Sequence, residues 1–124
     1  MSASMLHNVS MTEVQGCLVV AMQADLRDES FDALHQAVTE RLVDKRLPAA
    51  VLDFSAVPVL DLHEFSRIQA LARVMGFLGA QVVFVALNPG IASFLAQAGA
   101  NIGDQQFCMH MEDAFALLAS QGTY

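Results

Sequence analysis

The sequence predicts an α/β fold, a mixed central β-sheet with about four helices packed against it, and three observations carry that prediction. The runs AAVLDF (49–54) and QVVFVAL (81–87) are almost wholly apolar, and the second is rich in β-branched residues. Runs of this kind suit inner strands covered on both faces. Between such runs, apolar residues recur at spacings of three and four, the period of an amphipathic helix. Strand and helix signals also alternate along the chain, as they do when parallel strands are joined by helical crossovers.

Taken in order, residues 1–4 are expected to be frayed, and Met5–Val14 reads as a weak strand. Gln15-Gly16 is a turn signal, and Cys17–Ala21 is a short apolar strand, so the two strands form a candidate hairpin. DESFDALHQAVTERLVDKR places Phe31, Leu34, Val38 and Leu42 on one helical stripe. Its acids come early and its bases late, matching the helix dipole. AAVLDF is a buried strand. The next helix runs from Leu62 to about Leu78 and stops at Gly79, a C′ glycine. QVVFVAL is the next strand. In NPGIASFLAQAG, Asn88 caps a short helix, Pro89 sits in its first turn and Gly99 ends it. Gln106–His110 reads as a last short strand, and MEDAFALLAS as a terminal helix burying Phe115 and Leu118. The order is β-β-α-β-α-β-α-β-α. Its 124 residues suit one domain spanning 1–124, large enough to bury a core without disulfides or metals.

Composition narrows the function. The formal charge is −7, from 13 acidic against 6 basic residues. Nucleic-acid binding needs a basic footprint, and so does attraction to an anionic membrane surface. The hydrophobic share of 55% is high and suggests a self-association surface, giving a homodimer or a larger assembly. Cys17 and Cys108 are far apart, as reduced structural thiols are. The start MSASMLHNVSM lacks the basic and apolar regions of a signal peptide. The longest apolar runs, such as Val82–Leu87, fall far short of the roughly 20 residues of a membrane span. A cytoplasmic protein without direct membrane insertion is expected. His7, His35, His63 and His110 have no metal-ligand spacing, and no GxxxxGK[ST] or GxGxxG loop is present. Neither a metal nor a cofactor is expected.

The stretch PVLDLHEFSR (58–67) stands out. With Asp61 as N-cap, Glu64 falls at N3, where its carboxylate can complete a capping box. Leu60 and Phe65 take the two positions of a hydrophobic staple. At about 100° per residue, Phe65, Ile68, Leu71, Ala72 and Met75 share the core face. Ser66, Gln69 and Arg73 fall on another, polar side, and Leu62 belongs with them. A first-turn leucine there lies beside unpaired backbone N–H groups that suit an anion. As an isolated surface residue, or one folded onto a neighbouring loop, it is ordinary; the functional reading makes it part of a partner surface. Asp61, His63 and Ser66 do not make a catalytic set, because Asp61 is occupied as a cap and no oxyanion-hole turn accompanies them. A non-enzymatic protein is expected.

VLDFSAVPVLD, ARVMGFLGAQVVFVALNPGIASFLAQAGA and FCMHMEDAFALL together resemble the STAS domain, the sulfate-transporter and anti-sigma-factor-antagonist family. Within it, LDLHEF, MGFLGA and LNPGIASFLAQAGA look most like the small single-domain proteins of stressosomes. The resemblance implies a signalling or scaffold protein that binds a partner-switching kinase, other STAS proteins or both. In the family the residue after the cap Asp is typically a Ser or Thr that the kinase phosphorylates. The matching positions are Asp53 on the strand, Asp61 as cap and Leu62 at the acceptor site, with Glu64 beside them. Leucine has no hydroxyl, so this chain departs from the pattern at the residue that carries the chemistry. The implied partner surface is Asp61, Leu62, His63 and Ser66, with Asp53 and Glu64 as supporting acids. Ser66 and Ser55 are possible substitute phosphosites. The alternative is a STAS subunit serving as cytoplasmic adaptor of a membrane transport complex.

Overall fold

In the computed structural model, which describes residues 9–24 and 26–122, five strands form one sheet. They are β1 (Ser10–Val14), β2 (Cys17–Ala21), β3 (Ala49–Asp53), β4 (Gln81–Val85) and β5 (Gln106–Cys108). They lie side by side in chain order, with β1 antiparallel to β2 and every later pairing parallel. Four helices are interspersed among the described residues: α1 (Asp28–Lys45), α2 (Leu62–Phe77), α3 (Pro89–Gln97) and α4 (Met111–Ser120). The predicted mixed sheet and element order are observed.

The β1–β2 hairpin turns on Gln15 and Gly16, both left-handed at φ 53° and 79°. A two-residue hairpin loop needs positive φ at both central residues to match the strand twist, and glycine adopts it without a Cβ clash. The parallel strands show why their sequences are apolar without alternation. In β3, Ala49, Ala50, Val51 and Leu52 are all fully buried, because both faces are covered. Leu18, Val20, Ala50, Leu52 and Phe84 join the apolar stripes of α1, α2 and α3 in one core cluster. Cys17, Ala49, Val51, Val83 and Val85 meet Ala114 and Leu118 of α4 in the other. Phe31, Leu34, Val38 and Leu42 are the buried residues of α1, as their spacing predicts.

Several boundaries differ from the sequence expectation. Among the described residues the first strand begins at Ser10; residues 1–8, which hold the expected frayed end, the Met5 start of the expected strand and His7, lie outside them. AAVLDF leaves the sheet after Asp53, whose carboxylate accepts the Ser55 N–H at 3.0 Å and turns the chain. QVVFVAL ends at Val85, because Ala86 takes a left-handed φ of 65°. The last strand stops at Cys108, and His110 becomes the N-cap position of α4. In α4 the buried residues are Ala114 and Leu118, with Phe115 only partly covered.

Candidate functional site

The chain leaves β3 at Asp53, crosses a loop and enters α2. Phe54 N–H donates to the Val85 carbonyl at 2.8 Å and Val57 N–H to the Phe54 carbonyl at 3.0 Å, so the loop begins against the sheet. It ends at a capping box. Asp61 Oδ1 accepts the Glu64 N–H at 2.7 Å, and Glu64 Oε1 accepts the Asp61 N–H at 3.0 Å. Two donors that α2 would otherwise leave unpaired are satisfied reciprocally. Leu60 and Phe65, the staple positions, are both buried in the larger core cluster. At the other end, Gly79 has φ 96°, the left-handed conformation of a helix-terminating glycine.

Leu62 is the first residue of α2 and is 37% exposed. Its side chain is not needed for the cap, which Asp61 and Glu64 complete between them. His63 and Ser66 are exposed, Glu64 and Asp53 half-buried and Ser55 exposed. Of the six residues picked from the sequence, Asp53 ends β3, and Asp61, Leu62, His63, Glu64 and Ser66 lie at the cap and in the first two turns of α2. Beside it is a hollow of about 510 Å³, walled by Pro58, Val59, Leu60, Asp61, Ile91 and Phe94 among others. Only Asp61 and Glu64 of the expected set line it. Asn88 ties its two sides: its Oδ1 accepts the Ile91 N–H at 2.9 Å, capping α3, and its Nδ2 approaches the Pro58 carbonyl at 3.4 Å.

Two residues of this surface escaped the sequence reading. Val59 is 74% and Phe94 50% exposed, and both line the hollow. The signal was present in each case: Val59 is an apolar residue in a loop between prolyl and cap positions, and Phe94 lies off the Ile91–Leu95 stripe that α3 buries. They share the wall of the hollow with Asp61 and Glu64, the two acids of the capping box.

The polar side of α2 also needs correction. Gln69, expected on an exposed face, is buried. Its Nε2 donates to the Asn101 carbonyl and to Gln105 Oε1, both at 2.8 Å. The segment after α3 thus folds over the middle of the stripe that begins at Leu62. On another side of α2, Arg67 reaches back to α1. It lies 2.9 Å from Asp28, 3.9 Å from Asp32 and 4.2 Å from the centroid of the Phe31 ring. Among the described residues, no three His, Cys, Asp or Glu side chains are grouped to hold a metal, and no helix is long and apolar enough to cross a membrane.

Comparison with known proteins places this arrangement. RsbS of Moorella thermoacetica, in a substituted form, superposes with a TM-score of 0.79 at 20% identity, over 94% of this chain and 98% of that one. A chain from the architecture of the stressosome, described as a signal integration and transduction hub, gives 0.79 at 19% identity, over 91% and 98%. Bacillus subtilis (strain 168) YezB, an uncharacterised protein, is 25% identical over 71 residues, 57% of this chain and 72% of its own length. The sequence model of the STAS domain matches residues 8–114, and the chain belongs to the STAS domain family.

Proposed function

We propose that the protein is a non-catalytic signalling scaffold of the anti-sigma-factor-antagonist type, whose α2 tip holds its partner without a phosphorylation switch. The partner is a switch kinase, another STAS protein or both, in a stressosome-like assembly in the cytoplasm. The single observation that carries this reading is Leu62 at the first position of α2 beside a complete Asp61–Glu64 box. A phosphate at that position would add about −1.5 to −2 charges next to Asp61 and Glu64, repelling acidic groups and wetting an apolar contact. Leucine adds apolar area instead; with 37% of it still exposed, a partner that covers it fully gains up to about 0.5–1 kcal/mol. The exposed Val59 and Phe94, in the hollow lined also by Asp61 and Glu64, offer further apolar surface.

The test is intact-mass spectrometry after incubation with the cognate switch kinase and Mg-ATP. Leu62→Ser is expected to gain one phosphate and the wild type none; a phosphate on the wild type overturns the reading and directs attention to Ser66 and Ser55. Affinity capture from native lysate is expected to recover the kinase or STAS proteins with the wild type and to lose them with Leu62→Glu. Recovery of transporter subunits instead would favour the adaptor of a membrane transport complex. Light scattering is expected to show a dimer or a larger assembly.

A further inference from the structure

A second cavity, of about 460 Å³, lies where α3, the segment from Ala100 to Gln105 and β5 meet. Its main walls are Phe65, Phe84, Leu95, Ile102, Phe107 and Met109. The size falls within the range of small-molecule sites, roughly 300–1,000 Å³. The walls are held in place from behind. Phe84 packs on Phe107 with centroids 4.8 Å apart, on Phe65 at 6.2 Å and, stacked, on Phe54 at 5.7 Å. The segment that carries Ile102 is pinned to α2 by the two hydrogen bonds of Gln69. The cavity is therefore preformed.

Its chemistry is one-sided. No charged, amide or hydroxyl side chain lines it, and the heteroatom-bearing groups among its wall side chains are the Met109 thioether and the Cys108 thiol. Burial, and then the charge of Asp113, push that thiol up, so it stays protonated and neutral. A carboxylate or phosphate would enter without a counter-charge, on a chain whose formal charge is −7. The side chains of these walls offer no partner to the N–H and C=O groups of a peptide. Rings, by contrast, find the 36% exposed Phe107 ring, which is backed by the buried Phe84, and a polarisable sulfur. At the rim, Ile102 and Met109 are 48% and 56% exposed, apolar surface that an occupant would cover.

We propose that this cavity binds a neutral, ring-bearing apolar small molecule. The proposal stands apart from the α2-tip reading and survives its failure. The probe is N-phenyl-1-naphthylamine, an uncharged fluorophore of two ring systems, titrated into the full chain. Saturable one-to-one binding is expected, with hydrogen-exchange protection confined to residues 84–87, 92–96 and 100–109. Ala96→Phe, which fills the cavity from its α3 wall, is expected to weaken binding about tenfold or more. Ile102→Glu, which brings a carboxylate to the rim and leaves the core intact, is expected to weaken it by about tenfold as well, and gives the answer if the first variant does not fold. Phe77→Ser, at a position 90% exposed and outside the cavity, is expected to leave it unchanged. Non-saturating fluorescence, binding indifferent to both cavity variants, or binding lost with Phe77→Ser overturns the proposal. A midpoint that shifts as the protein is diluted does so too, and assigns the surface to a second copy of the chain.

Discussion

On one face of the sheet, Leu18, Val20, Leu52 and Phe84 lie under three helices; on the other, Cys17, Val51, Val83 and Val85 lie under α4 alone. The first face holds all the largest buried rings, Phe54, Phe65 and Phe84, and its helix α2 starts at a reciprocal capping box. The second is built from small and β-branched residues, and its ten-residue helix starts at His110 with no side-chain cap. These strand residues are 2% exposed or less on either face, so burial alone does not distinguish the two. What differs is redundancy. Removing one helix from the first face leaves two, while releasing α4 uncovers the whole second face. Local opening is therefore expected to be cheaper there, since regions with few covering contacts open below the global unfolding free energy.

Four substitutions test that contrast. Phe84→Ala, at the centre of the three-ring contact, is expected to cost about 3–5 kcal/mol in urea unfolding; a loss below about 1 kcal/mol would mean that the heavily covered face repacks freely. Leu118→Ala is expected to cost less, about 2–3 kcal/mol, because a helix covered on one side can settle towards the sheet. It should also speed native-state alkylation of Cys17, which α4 covers, well beyond the rate set by global unfolding. If the thiol reacts only when the whole chain unfolds, the two faces open as one and the contrast fails. Asp61→Ala removes half of the capping box and should cost about 0.5–2 kcal/mol, read as a lowered melting temperature. Leu62→Ser should change stability by no more than about 0.5 kcal/mol, since its side chain takes no part in the cap. A larger loss would show that Leu62 is held by the fold rather than free for a partner.

The capping box was legible in the sequence because all of it lies within Leu60–Phe65, and short-range geometry settles where those groups point. The same holds for the Asn88 cap and for the buried stripe of α1. Gln69 was not legible. Its partners, Asn101 and Gln105, lie across the fold, and nothing in the period of α2 announces that a distant segment will cover its polar side. Val59 and Phe94 were missed for a related reason: each is unremarkable in its own segment, and only the packing of α3 beside the loop brings them to one hollow. The strand ends were overextended because Asp53 and Ala86 turn the chain through backbone conformation, which apolar character does not report.

The order of the strands in the sheet has a consequence for how the molecule is made. Each strand pairs with the one before it in the chain, so no strand has to be inserted between two that are already paired. Every parallel step closes a single crossover, and closure entropy rises only slowly with loop length. As the polypeptide emerges from the ribosome, the β1–β2 hairpin can template β3, and each later strand meets an edge that is already waiting. The exposed edge moves along with synthesis, and it ends at β5, a strand of three residues too short to recruit another.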